Sequence, residues 1–128
     1  MKILPFFMLG CLTFMFAACK ESPQERCARS VDEVNRGCPK TIDAYTQLDS
    51  VAYWVHENAI HYYYSLHGAP DSVLRSGVDD SPEGCRRMAE QIANTPDMRY
   101  FVEHNVSFRY HYVSKETGKQ LGTIVVDN

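Results

Sequence analysis

Five histidines and five cysteines in 128 residues are the groups able to do chemistry in this chain. His61 and His111 each sit at alternating positions of a β-like run, so each falls on the outer face of its strand. Strands placed edge to edge would let these two imidazoles start a metal site, with His56 near a turn as a third candidate. Zinc asks for three or four ligands at about 2.0–2.1 Å, and no ligand-spacing motif makes these residues converge. Solvated strand histidines beside tyrosines are therefore expected, with no metal and no other cofactor. A cysteine hydrolase would need a thiolate. Its one candidate, Cys85, lies on a helix face aimed at the core, where burial raises a thiol pKa. Asp79-Asp80, with Asp71 and Glu83, lacks the alternating aspartates of a calcium loop and reads as a solvated loop with a helix-start carboxylate. No catalytic residue is assigned, and the chain is not expected to be an enzyme.

Aromatic residues offer a different chemistry. Tyr62-Tyr63-Tyr64 follows Tyr53-Trp54, and alternation sends Tyr53, Tyr62 and Tyr64 inward. Trp54, His61 and Tyr63 then share the outer face as an apolar patch with polar tips. Residues of this kind are enriched in protein contacts. The competing expectation is that the loop 67–80 folds across this face and buries it, because large exposed apolar patches are uncommon on monomers.

These side chains must be positioned by elements whose starts are marked. Ser22-Pro23, Ser81-Pro82 and Thr95-Pro96 each place a hydroxyl before a proline, an N-cap followed by a residue that needs no amide partner. Ser22 with Glu25 adds a capping box. Helices are expected over 23–36, 82–93 and 96–104. Strands are expected over 47–56 and 59–66, a hairpin pairing Val55 with Ile60, Tyr53 with Tyr62 and Val51 with Tyr64. A second hairpin covers 106–113 and 120–126. In its last strand Leu121, Thr123 and Val125 compete with Ile124 and Val126 for the inside. The long connection 67–80 reads as a loop. The order α-β-β-α-α-β-β defines an α+β fold, two antiparallel hairpins forming one four-stranded sheet with helices on one face. Strand order between the hairpins stays open.

Beyond the N-terminal run, Cys27, Cys38 and Cys85 are available for one disulfide. Cys27 and Cys38 on one helical segment would be about 15 Å apart at roughly 1.5 Å per residue, beyond the reach of a bridge. Cys85 is thus the expected partner of Cys38 or Cys27, with Cys38 favoured on its loop; three unpaired thiols are the alternative.

Lys2 is followed by an apolar to weakly polar run from Ile3 to Ala18, closing on Phe16-Ala17-Ala18-Cys19. The run is the length of a signal-peptide core and short for a membrane span. The closing tetrapeptide resembles the lipobox of bacterial lipoproteins, with phenylalanine where leucine is commoner. That resemblance implies cleavage before Cys19 and lipidation of its thiol. The expected division is a signal peptide 1–18, a lipidated cysteine and tether 19–22, and one domain 23–128. Several acyl chains, at about 0.8 kcal/mol per buried CH₂, anchor a protein durably in a membrane. Lys20 stands where an inner-membrane retention signal would have aspartate, so the cell envelope, at the outer membrane, is the expected location. Lys20, Glu21 and Ser22 span only about 10 Å at roughly 3.3–3.6 Å per residue, which holds the domain close to the bilayer.

Cys38-Pro39-Lys40-Thr41-Ile42-Asp43, followed by Thr46-Gln47-Leu48-Asp49-Ser50-Val51, resembles the start of a group of small uncharacterised bacterial envelope proteins. Asn94-Thr95-Pro96-Asp97-Met98-Arg99 and the alternation from Val106 to Tyr112 extend the similarity over most of residues 31–126. Those relatives often carry a cysteine just before the N-x-P run, where this chain has Ala93 and places Cys85 two helical turns earlier. The shared motifs are caps, turns and strand patterns, and they imply a fold without an activity. The whole chain has 13 basic and 16 acidic residues. Losing Lys2 with the leader leaves 12 against 16, with no basic patch for phosphate neutralisation, so nucleic acid is not an expected partner. The function expected is an envelope module binding another protein or a cell-wall component close to the membrane. A small periplasmic metal-dependent hydrolase and an immunity or inhibitor protein are the alternatives.

Overall fold

A computed structural model describes residues 20–128. The expected signal peptide 1–18 and the lipidation candidate Cys19 lie outside the described residues. The hydroxyl–proline devices act where expected at two starts. Ser22 Oγ accepts the Glu25 amide at 3.1 Å to open α1 (Pro23–Asn35), and Ser81 Oγ accepts the Gly84 amide at 3.1 Å to open α3 (Pro82–Ala93). The third differs. The Thr95 hydroxyl donates back to the Gln91 carbonyl at 2.8 Å, and a 3₁₀ turn (Pro96–Met98) leads into the short α4 (Arg99–Glu103).

Five strands form one sheet: β1 (Lys40–Thr41), β2 (Thr46–Trp54), β3 (Ala59–Leu66), β4 (Ser107–Ser114) and β5 (Gln120–Val126), in that spatial order. Both expected hairpins form, β2 with β3 and β4 with β5. The all-antiparallel four-stranded sheet does not. β3 and β4 pair in parallel, because the chain between them passes through α2 (Asp71–Ser76), α3 and α4 and returns to the end from which β3 started. β1 adds a short edge strand, set by a turn in which Asp43 Oδ1 accepts the Tyr45 amide at 2.8 Å. α2 lies inside the expected loop 67–80. Its polar, glycine-flanked sequence hides one turn of helix that buries Leu74.

The first hairpin is displaced by two residues from the expected pairing: Tyr53 faces Ile60 and Val51 faces Tyr62. Side chains alternate with period two, so this slip leaves the inward set unchanged. A bulge at Asp49 then brings Leu48 opposite Tyr64 and keeps Leu48 inside as well. In β5 a second irregularity leaves Leu121 unpaired between Gly122 and Gln120. Leu121, Ile124 and Val126 are all buried, while Val125 is exposed. The competition read in that strand is resolved by one extra residue.

One parity of the sheet forms the core with the helices: Val51, Ile60, Phe108, Tyr110, Ile124 and Val126 cluster with Cys27 and Val31 of α1, Leu74 of α2, Ile92 of α3 and Phe101 of α4. Beyond the end of β1, the Asn35 side chain continues the sheet edge. Its Nδ2 donates to the Val51 carbonyl and its Oδ1 accepts the Val51 amide, both at 2.8 Å. That pairing covers backbone groups an edge strand would otherwise expose.

Cys27, Cys38 and Cys85 are free thiols, a correction to the expected bridge through Cys85. Cys27 on α1 lies against Tyr53 of β2, and α3 carries Cys85 against β5. Those strands are three spacings apart, about 14 Å at roughly 4.8 Å each. The Cys38 thiol donates to the Val34 carbonyl at 3.4 Å, at the end of its own helix.

Candidate functional site

The face opposite the helices carries the second parity of the strands, and there the residues singled out in sequence meet. His61 stands opposite Ala52 on β2 and Arg109 on β4. Trp54 and His111 are its diagonal neighbours, two residues further along each strand, within reach of aromatic rings. The small side chains of Ala52 and Ala59 leave room for the rings to lie over the sheet. Trp54 stacks on His61 with ring centroids 4.2 Å apart, His61 and His111 lie edge to edge in nearly parallel planes with centroids 5.1 Å apart, and the His111 and Tyr63 centroids are 5.0 Å apart. The expected trio Trp54, His61 and Tyr63 is therefore brought together, with His111 completing the row.

The loop 67–80 does not cross this face. Leu74 and Val78 within it join the core on the helix side, because that is where these two apolar side chains find partners. Trp54 remains 49% exposed and shields His61, which is 4% exposed.

The imidazoles are linked end to end. His61 Nδ1 and His111 Nε2 are 2.8 Å apart, and His61 Nε2 lies 3.3 Å from Glu57 Oε1. With a proton on His61 Nε2 directed to Glu57, His61 Nδ1 accepts the proton that His111 Nε2 carries. One neutral tautomer of each ring satisfies the whole row. The two nitrogens facing each other are engaged mutually, and His56 lies apart in the exposed β2–β3 turn. Among the described residues no cluster of three or more His, Cys, Asp or Glu is arranged to hold a metal.

Burial, then the charges of His61 and Arg109, hold the His111 imidazole below its ordinary value, with Glu57 opposing them. The unfolded chain therefore binds this proton more readily than the folded one. Stability tied to His111 is fully present above about pH 6.5, the ordinary imidazole value, and is lost as pH falls through its lower folded value. Thermal unfolding should show a melting temperature that drops between pH 7.5 and pH 5, with a shallower drop in His111→Gln.

Glu57 was not singled out in sequence because it reads as a turn residue. Its spacing of four from His61 across a tight turn was the available signal. Asp49 joins the same face through the bulge, accepting from Ser65 Oγ at 3.0 Å and Gln47 Nε2 at 2.8 Å. Arg109 pairs with Asp127 at 2.8 Å at the border. The arrangement is a ring-stacking platform with hydrogen-bonding tips, suited to laying flat groups or apolar side chains against Trp54.

The molecule is thus an α+β domain, a mixed sheet carrying helices on one face and an aromatic–imidazole row on the other. Residues 22–122 match the family described as a domain of unknown function (DUF8479), and the chain belongs to that family. Its fold is similar to the crystal structure of a candidate secreted protein from Pseudomonas aeruginosa, with a TM-score of 0.60 and 13% identity, covering 84% of this chain and 96% of that one. At that identity the likeness is one of fold. No curated protein matches the chain.

Proposed function

We propose that this protein is an envelope lipoprotein, lipidated at Cys19 and held at the outer membrane, whose domain binds another envelope protein or a cell-wall component without catalysing a reaction. The observation that carries the reading is the uncovered platform of Trp54, His61, His111 and Tyr63, half-exposed at Trp54 and backed by a rigid sheet. The apolar run ending in Phe16-Ala17-Ala18-Cys19 supports the anchor. A close tether is supported by Glu21, whose carboxylate takes Arg29 in a fork at 2.8 and 2.9 Å and so ties the third residue of the tether to α1. At the start of α1, Arg26 stacks 4.0 Å over the Tyr100 ring of α4, which fixes the first turn that follows the tether. The secreted description of the Pseudomonas aeruginosa protein accords with an extracytoplasmic location.

Two substitutions test the two halves. Cys19→Ser should abolish incorporation of a clickable palmitate analogue and move the protein from the membrane to the soluble fraction. Trp54→Ala should leave the fold intact and weaken crosslinked capture of the partner about thirtyfold, the effect of losing an interface anchor of roughly 2 kcal/mol. Capture unchanged in Trp54→Ala would overturn the platform as the binding face.

A further inference from the structure

The helix side of the sheet holds a second concave site that the platform does not use. Between the β1–β2 turn, α2 and the far ends of β3 and β4 lies a pocket of about 480 Å³, within the roughly 300–1,000 Å³ typical of small-molecule sites. Leu66, Leu74 and Ile124 form apolar walls. The rim residues Ile42, Tyr45 and Val73 are 49%, 52% and 56% exposed. Three large apolar side chains standing open around a cavity form a patch of the kind that marks a binding site.

Tyr64 and Tyr112 line the pocket side by side, their rings stacked at 5.0 Å. Burial pushes both phenols above their ordinary value and keeps them protonated. Neither oxygen is fully sealed from solvent, since no fully buried side-chain oxygen among the described residues lacks a partner. The site therefore offers two neutral hydroxyls, each able to donate or accept. Asp43 is its one charged lining residue, and its Oδ1 already accepts the Tyr45 amide at 2.8 Å. No Lys, Arg or His is among the lining residues. An anionic head would be desolvated there without a counter-charge, which is costly, whereas a hydroxyl or carbonyl can be satisfied.

We propose that this pocket binds a neutral amphiphile, an alkyl or aryl body carrying one hydroxyl or carbonyl head. The head bonds to Tyr64 and Tyr112, and the body lies against Leu66, Leu74 and Ile124. The site is on the opposite face from Trp54, at the end of β3 where Tyr64 and Leu66 stand.

The test is photolabelling of the full lipoprotein, reconstituted in phosphatidylethanolamine vesicles, with a decanol carrying a diazirine. Label should map by mass spectrometry to Val73, Leu74 and the Ile42–Tyr45 turn. Excess 1-decanol should compete, and decanoate should compete at least tenfold less well. Tyr64→Phe with Tyr112→Phe should weaken labelling about tenfold, a few-fold for each hydrogen bond lost. Val73→Lys, which adds a cation at an exposed rim position, should raise competition by decanoate to the level of decanol. A failure to fold cannot produce that gain. Label confined to residues near Cys19 or to the Trp54 face would overturn the proposal, as would labelling unmoved by the paired phenylalanines.

Discussion

Phe108→Ala is expected to lower the stability of the domain by about 3–5 kcal/mol, among the larger costs of a single core truncation. Phe108 is fully buried at the middle of the sheet. Its strand neighbours are Ile60 on β3 and Val126 on β5, and Ile92 and Phe101 belong to the same buried cluster. The walls of the cavity left behind belong to two strands and two helices, so they cannot collapse together. For a domain of this size the melting temperature should fall by roughly 15–25 °C. Val125→Ala, one strand away on the exposed side, should change stability by no more than about 0.5 kcal/mol. The contrast checks the inward parity of β5 as well as the depth of the core. A Phe108→Ala protein melting within a few degrees of the parent would refute the parallel pairing that places this ring between Ile60 and Val126.

Gly84→Ala carries the second large effect, and its sign is the informative part. In an exposed helix interior, alanine in place of glycine stabilises by about 1 kcal/mol. Gly84 sits in the first turn of α3, where a Cβ would lie 2.2 Å from the Asp79 carbonyl oxygen and 2.6 Å from its Oδ1. Backbone must therefore move, and that backbone is held. Asp79 Oδ1 accepts the Ser81 amide at 3.3 Å, and its other oxygen pairs with Arg87. Overpacking against a fixed turn should cost about 3 kcal/mol, the upper part of the usual range. Urea unfolding should show a lower midpoint for Gly84→Ala and an unchanged or higher one for Gly37→Ala, whose Cβ would meet only the Val34 carbonyl at 3.6 Å. Equal behaviour of the two variants would mean that the α2–α3 turn does not rest on Gly84.

The platform and the pocket differ in how far each was legible. Trp54, His61 and Tyr63 were readable as one face because alternation along a strand depends only on local geometry. The row they form with His111 was not. It depends on β3 lying beside β4 in parallel at a register that sets His111 diagonal to His61, and nothing local to either strand specifies that neighbour. The pocket was invisible for a related reason. It is walled by α2, hidden in a segment with the composition of a loop, and by Tyr64 and Tyr112, which only the same pairing places side by side.

What the sequence determined by itself is what short-range physics controls. The caps at Ser22 and Ser81, the two hairpins, the inward tyrosines and the α+β class follow from hydrogen bonds and side-chain periods within a few residues. Even the two-residue slip of the first hairpin spared them, because it preserved parity. The tertiary structure alone decided the parallel junction of the hairpins, the fifth strand, the inward turn of Leu121 and the separation of Cys85 from Cys27. Each depends on where a crossover of some forty residues sets the chain down, and that is fixed by burying the helices' apolar faces jointly on one side of the sheet. The Glu57–His61–His111 row is the consequence on the other side.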